Sequence, residues 1–180
     1  MGMDTSVIGR TSGRAVVTVE RGPVSNFARA VGDRSPIYQD VRAARAAGFD
    51  DVPAPPTWPF AMAYWGTFPE QQEGLEPVTD NPMWEVMAKL GHGLILHGEQ
   101  EFEYHRPIVA GDVLVGEDVI ADLYEKESPG VTMTFVVTET VWRDLRSGEP
   151  VASARFNLIH RARHPDEAAS GQKPVVGTGF

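Results

Sequence analysis

The chain contains no cysteine among its 180 residues. This absence excludes disulfide bonds, thiolate-ligated zinc, iron–sulfur clusters and thiol catalysis, and it fits a reducing cytoplasm, which is the location we expect. Positive charge is also scarce, because 16 Lys and Arg face 25 Asp and Glu and leave a formal net charge of −9. An acidic surface repels phosphate backbones, so the sequence predicts no binding to nucleic acid.

Long apolar runs are missing as well. Pro, Gly or charged residues interrupt each hydrophobic stretch before it reaches membrane-spanning length, so we expect no transmembrane helix and no membrane partner. The N-terminus lacks the basic segment and apolar run of a secretory signal. No two histidines have metal-ligand spacing with a third ligand nearby, so we predict no metal site. The remaining composition, 42% apolar and 23% charged, is that of a soluble globular domain.

Apolar spacing predicts a short strand over 14–20 and two helices after it. An apolar stripe at helical spacing indicates a helix over 23–31, which Gly32 ends. Asp40 is a suitable N-cap for an Ala-rich second helix over 41–47. Asp40 is therefore interpreted as a helix cap and not as a catalytic group.

The third predicted helix follows an extended, Pro-rich connector over 52–56. Thr57 can cap this helix, and its body 60–65 is apolar on nearly every side, which predicts burial all round. Residues 68–93 contain Pro, Gly and acidic residues. They predict a lid-like insertion with few core contacts and a short helix over 82–90.

After residue 93 the apolar period changes to that of β-strands. Turn signals, among them Ser128-Pro129-Gly130, separate four long predicted strands: 94–105, 113–124, 131–142 and 151–159. With the early strand they predict an α+β domain over 14–162. We expect this domain to lie between a flexible N-terminal segment 1–13 and a flexible tail 163–180.

One stretch carries a recognisable signature: Gly32-Asp33-Arg34-Ser35-Pro36-Ile37-Tyr38-Gln39-Asp40. It resembles the pattern Gly-Asp-x-x-Pro-(Ile/Leu)-His-x-Asp of the MaoC-type, or hydratase 2, dehydratases. The segments 54–57 and 97–112 also resemble the N-terminal half of these proteins, which includes the substrate-binding subunits of mycobacterial (3R)-hydroxyacyl-carrier dehydratases. In all, the resemblance spans roughly residues 14–161.

This resemblance implies a single hot-dog fold, in which an antiparallel sheet wraps around a buried central helix, acting as a dimer or double hot dog. It implies reversible hydration of a trans-2-enoyl thioester to a (3R)-hydroxyacyl thioester. The substrate would be carried on CoA or on an acyl carrier protein, and no cofactor is implied.

The MaoC-type dehydratases use the Asp and the His of this motif for acid–base chemistry. Asp33 matches the Asp, but Tyr38 stands where the His is expected. A tyrosine with a pKa of about 10 stays protonated at neutral pH, so Tyr38 can donate a hydrogen bond or act as an acid but is a poor base. This departure favours a substrate-binding half that works with a catalytic MaoC partner.

Other residues are candidates for the same site. Strand periodicity places His97 and Glu99 on the same face, so a His–carboxylate pair there is a second candidate for the catalytic base. The simpler interpretation of His97 is a structural histidine at the edge of the sheet. The N-terminal N–H groups of the third helix, around Thr57 and Trp58, can point partial positive charge at a thioester oxygen. The substrate-binding candidates are Pro36, Pro56, Thr57, Trp58 and Gly98.

Three alternative functions stay open at this stage. A self-sufficient homodimeric hydratase would use Asp33 with Tyr38 or His97. A non-catalytic acyl-CoA binding module would need neither group. A hot-dog thioesterase would use Asp33 to activate water, although the Gly-Asp-x-x-Pro pattern is not typical of thioesterases.

Overall fold

The computed structural model describes residues 4–75, 82–128 and 131–162. These residues form an α+β domain, as predicted. The α-helices are α1 (Arg21–Ala30), α2 (Val41–Ala46), α3 (Trp58–Trp65) and α4 (Pro82–Leu90). The strands are β1 (Thr11–Thr18), β2 (Gly93–Tyr104), β3 (Val113–Ser128), β4 (Val131–Asp144) and β5 (Pro150–Ala162). Short 3₁₀ helices cover Thr5–Val7, Pro36–Tyr38 and Pro69–Gln72.

The five strands form one antiparallel sheet in the order β1-β3-β4-β5-β2. Strands β1 and β2 are therefore its two edges. Helix α3 packs against β1 and β5 and against α1, so the curved sheet folds over one side of this helix. This arrangement is the hot-dog fold that the sequence resemblance implies.

Two apolar clusters hold the helices on the sheet. In the first, Trp58 and Met62 of α3 pack with Val17 of β1, Leu114 of β3 and Trp142 of β4. The second joins α4 to the far half of the sheet, and its buried members are Val7, Val86, Met87, Ile120, Leu123, Val136 and Leu158. Each burial removes apolar surface from water, which is the main favourable contribution to folding.

The ordered fold begins before the predicted boundary at residue 14. Strand β1 begins at Thr11, and Val7 in the preceding 3₁₀ helix is only 1% exposed because it packs in the second cluster. A single buried valine produces no periodic pattern, so its burial could not be predicted from the sequence. The predicted tail 163–180 lies outside the described residues, as do Pro129 and Gly130 of the predicted hairpin turn.

The segment 68–93 has more core contacts than its composition suggested. Helix α4 has the predicted bounds, and its Val86 and Met87 are each 5% exposed. Ahead of it, the Gln72 side chain accepts a hydrogen bond from the Val16 N–H at 3.1 Å and donates one to the Val16 carbonyl at 2.8 Å. The interpretation of this segment as an insertion with few core contacts is therefore wrong. Residues 76–81 lie outside the described residues.

Helix α3 is not buried all round, contrary to the prediction. Trp58 and Met62 are fully buried, but Phe60, Trp65 and Tyr64 are 43%, 52% and 79% exposed. The sheet of one chain covers only the side of the helix that faces it. The apolar residues on the remaining surface are left facing solvent and a cavity.

Among the described residues, none of the helices is long and apolar enough to cross a membrane.

Candidate functional site

The end of α1 positions Asp33. Gly32 adopts a φ of +82°, which a residue with a Cβ rarely does, and this lets the chain reverse after the helix. The Asp33 N–H then donates to the Ala28 carbonyl at 2.9 Å, and the Asp33 carboxylate accepts from the Ser35 N–H at 2.9 Å. Asp33 is half-buried. Its carboxylate is therefore held in a fixed orientation at a tight turn and still reaches the surface.

Tyr38 ends the 3₁₀ helix that Pro36 begins. Its side chain is 8% exposed, while Pro36 lies at the surface. Burial raises the pKa of Tyr38, and the negative charge of Asp33 raises it further. Tyr38 is thus a neutral phenol at physiological pH that can donate a hydrogen bond, and the chemistry of a general base is not available to it.

The N-terminus of α3 is tied down by hydrogen bonds within the chain. The Trp58 N–H donates to the Pro55 carbonyl at 2.9 Å, and the Phe60 N–H donates to the Thr57 carbonyl at 3.3 Å. Thr57 occupies the predicted N-cap position, but its side chain makes no capping hydrogen bond. The Trp58 N–H therefore already has a partner, and the expectation that the N–H groups around Thr57 and Trp58 direct partial positive charge at a thioester oxygen stays a prediction. Pro56 and Thr57 are exposed beside it.

The side chain of Trp58 belongs to the core. It is fully buried and meets the Phe27 ring of α1 edge-on, with ring centroids 5.3 Å apart. Its indole N–H is buried without a hydrogen-bond partner among the described residues. Trp58 was predicted to contact substrate, but its side chain instead links α1, the helix that precedes the Asp33 turn, to α3.

Tyr104, at the end of β2, fixes the loop before α3. Its hydroxyl donates to the Pro56 carbonyl at 2.6 Å. Burial raises the pKa of Tyr104 to about 12. Sequence reasoning did not identify this residue, although its place in the segment 97–112 beside the Pro-rich connector is the signal that would have led to it.

Removing this hydroxyl should change how stability depends on pH. The folded state holds the Tyr104 proton more tightly than the unfolded chain, where tyrosine titrates near about 10. Its stabilisation is therefore complete below about pH 10 and is lost between about pH 10 and 12. Urea unfolding at increasing alkaline pH should show a steeper loss of stability for the wild type than for Tyr104→Phe. Parallel losses in the two proteins would contradict this assignment.

His97 lies on the edge strand β2 next to a β-bulge. In the pairing of β2 with β5, His97 is opposite Leu158 and Gln100 is opposite Phe156, so Gly98 and Glu99 together face one residue. The bulge puts Gln100 on the same face as His97, whereas Glu99 contacts the Asn157 side chain at 3.4 Å. The predicted pairing of His97 with Glu99 on one face is therefore wrong.

The surroundings of His97 are aromatic. Its ring centroid lies 4.6 Å from that of Phe156 and 5.3 Å from that of Phe60. Packing explains why residue 98 is a glycine, since a Cβ there would lie 2.7 Å from Ile159 Cδ1. The 3₁₀ helix of Tyr38 packs on α1 and α2, away from β2, so His97 belongs to a different part of the fold from the Asp33–Tyr38 motif.

A cavity of about 450 Å³ lies between α3, α4 and the concave face of the sheet. This volume is within the range of small-molecule pockets. Phe60 and Tyr64 of α3 and Met83 and Trp84 of α4 form one wall. Sheet residues form the other, among them Gln100, Thr138, Thr140, Phe156 and Leu158.

Phe60 and Tyr64, two bulky residues of the helix that the sequence predicted to be buried all round, thus line a pocket. The sheet wall was missed, although the inward positions of β4 and β5 follow from the two-residue period of a strand. The described residues contain no cluster of three His, Cys, Asp or Glu side chains that could hold a metal.

An antiparallel sheet folded over a helix, with a ligand-sized cavity between them, defines a hot-dog domain. A model of the FAS1-like dehydratase domain region matches residues 6–154. The chain therefore belongs to the FAS1-like dehydratase domain family. The resemblance to MaoC-type hydratases and dehydratases inferred from the motifs is thereby confirmed.

Individual relatives agree with this assignment. A UPF0336 protein of Parafrankia sp. (strain EAN1pec) is 36% identical over 147 residues, which cover 82% of this chain and 86% of that protein. A probable enoyl-CoA hydratase alpha subunit of Thermomonospora curvata is 33% identical over 93% of this chain, and the match spans 53% of that protein. The C-terminally truncated HadBC (3R-hydroxyacyl-ACP dehydratase) complex of Mycobacterium tuberculosis aligns with a TM-score of 0.64 and 25% identity, over 86% of this chain and 98% of that chain.

Proposed function

We propose that this chain is the substrate-binding subunit of a (3R)-hydroxyacyl-thioester dehydratase, or trans-2-enoyl-thioester hydratase, and that a partner subunit supplies the intact Asp/His pair. The observation that carries the proposal is the state of Tyr38. Dehydration needs a group that takes the α-proton, and the buried Tyr38 has a raised pKa where the family motif has a histidine. The acid–base machinery of the motif is therefore incomplete in this chain.

The cavity is the part of the site that this chain does provide. Its helix wall is aromatic and apolar, which suits the acyl part of a thioester. Asp33 remains available to hold the substrate hydroxyl or a water molecule at the turn after α1. The two halves of the reaction, acyl binding and proton transfer, would then lie on different subunits.

The exposed apolar surface supports a partner at one particular edge of the sheet. Leu94, Ile95 and Leu96 of the edge strand β2 are 52%, 47% and 38% exposed. Contiguous apolar patches of this kind mark protein interfaces, and an unpaired edge strand offers backbone groups to a second sheet. The other edge strand, β1, is less available for such pairing, because the Gln72 side chain hydrogen-bonds both the N–H and the carbonyl of Val16.

The names of the relatives support the same assembly. The Thermomonospora curvata protein is named as an alpha subunit, and HadBC is a complex of two kinds of chain. A heterodimer with a catalytic MaoC-domain subunit therefore fits this chain better than a homodimer, because both subunits of a homodimer would have Tyr38 in place of the motif histidine.

The test is crotonyl-CoA hydration by the purified chain, alone and mixed with a short MaoC-type protein from the same genome that carries the intact Gly-Asp-x-x-Pro-x-His motif. We expect the mixture to exceed the sum of the separate rates by about 10²-fold or more, because general acid–base groups contribute about 10²–10⁴-fold. Leu94→Glu, on the proposed interface, should abolish the gain. Leu145→Glu is the matched control, since Leu145 is 50% exposed but lies in the β4–β5 turn.

A chain that hydrates crotonyl-CoA at full rate alone would overturn the two-subunit proposal and favour a self-sufficient homodimer that uses Asp33. Equal loss of activity in the two Leu→Glu variants would instead argue against β2 as the interface.

A further inference from the structure

The sheet wall of the cavity includes several polar side chains. A sheet face that covers a core is ordinarily apolar. Here the inward positions of β4 include Thr134, Thr138 and Thr140, and the last two line the cavity together with Gln100 of β2 and Asp118 of β3.

These polar side chains lie in two neighbouring rows across the sheet. Gln100 pairs with Phe156, which pairs in turn with Thr138. In the next row, Thr140 pairs with Asp118. Because paired residues point to the same face, the polar groups form one strip opposite the apolar wall of α3 and α4.

The strip contains two polar side chains that have no hydrogen-bond partner within the described part of the chain. The Thr140 hydroxyl donates to the Asp118 carboxylate. The side chains of Gln100 and Thr138, by contrast, make no hydrogen bond to another residue of the described part of the chain, and both are half-buried. A plain alkyl chain in the cavity would displace water from both groups and return no hydrogen bond, which costs free energy for each of them.

We infer that the cavity selects an acyl group that carries a second hydrogen-bonding oxygen, a hydroxyl or a carbonyl, farther along the chain than the C3 hydroxyl on which the proposed reaction acts, and that Gln100 and Thr138 determine this specificity. An oxygen of this kind can accept from the Gln100 amide and can exchange a hydrogen bond with the Thr138 hydroxyl. The rest of the chain would lie on Phe60, Met83 and Trp84. This inference rests on the proposed function, since it takes the cavity to be the acyl site.

Calorimetric titration of the full chain, alone and with its partner subunit, tests the inference. The probes are medium-chain acyl-CoAs of one length, either unsubstituted or with a single hydroxyl placed at successive positions beyond C3. We expect one hydroxylated isomer to bind about tenfold or more tightly than the unsubstituted thioester. Gln100→Met and Thr138→Val, which keep the shapes of the side chains, should each weaken that preference severalfold and improve binding of the unsubstituted chain.

Thr132→Val is the matched control, because it makes the same change on the same strand outside the cavity lining, and it should leave the preference unaltered. Equal binding of all probes by the wild type would overturn the inference and leave the proposed function standing. A preference that survives both cavity substitutions would overturn the assignment to Gln100 and Thr138. Failure to bind any acyl-CoA, with or without the partner, would remove the proposed function as well.

Discussion

Replacing Trp58 by alanine should lower the free energy of unfolding by about 3–5 kcal/mol, the usual cost of truncating a fully buried tryptophan. Trp58 is 0% exposed and joins α1 to α3 through its contact with Phe27. Trp84→Ala is the matched control, because Trp84 lies on α4 with 53% of its surface exposed. It should change stability by only about 0.5 kcal/mol.

Urea unfolding followed by circular dichroism would measure both values. Trp58→Phe makes the comparison sharper, since the buried indole N–H of Trp58 has no hydrogen-bond partner among the described residues. Phenylalanine keeps most of the ring contact and removes this unsatisfied donor, so its cost should be well below that of alanine. Equal losses for Trp58→Ala and Trp84→Ala would show that the first core cluster does not depend on Trp58.

Local signals in the sequence predicted the elements well. Asp40 begins α2 by accepting the Arg42 N–H at 2.7 Å, as expected of an N-cap. The amphipathic spacing of α4 gave its bounds, 82–90, and strand periodicity located β2 to β5. These features depend on neighbours along the chain, so a single sequence contains the information they need.

Features that depend on distant partners were not predictable in the same way. The apolar residues on nearly every side of α3 predicted its burial. Apolarity alone does not tell whether the surface that covers them belongs to the same chain, a ligand or another subunit. The bulge at Gly98 and Glu99 arises from the register of β2 against β5, and it moved Glu99 away from His97. To predict the polar strip of the cavity, the pairing of four strands, β2, β5, β4 and β3, would have to be known.

The family motif was the strongest guide to function, and its departure at Tyr38 is as informative as its match at Asp33. From the sequence, Tyr38 is expected to donate a hydrogen bond or to act as an acid, and to be a poor base. Its burial and raised pKa remove the role of base and leave it as a neutral donor. In the proposed function, the group that this chain lacks for catalysis is thus one side chain at position 38.

Restoring the histidine should therefore restore activity. We expect Tyr38→His to raise the rate of crotonyl-CoA hydration by the chain alone about tenfold or more, because a histidine near its ordinary pKa of about 6.5 exchanges protons at neutral pH. Burial at this position lowers the pKa of a histidine, and the nearby Asp33 carboxylate raises it. The two effects oppose each other and keep the group able to titrate.

Two controls separate this effect from a change in packing. Tyr38→Phe removes the hydroxyl without adding a base and should give no gain. Tyr38→His combined with Asp33→Asn should lose the gain, because the Asp33 carboxylate both orients and charges the new group. Thermal unfolding of each variant would establish that it is folded. A fast wild type that Tyr38→Phe leaves unchanged would mean that the acid–base pair lies elsewhere, with His97 the next residue to test. If Tyr38→His stays as slow as the wild type while a partner subunit accelerates both, the Asp33 turn does not present its carboxylate to the reacting carbon, and catalysis belongs wholly to the partner.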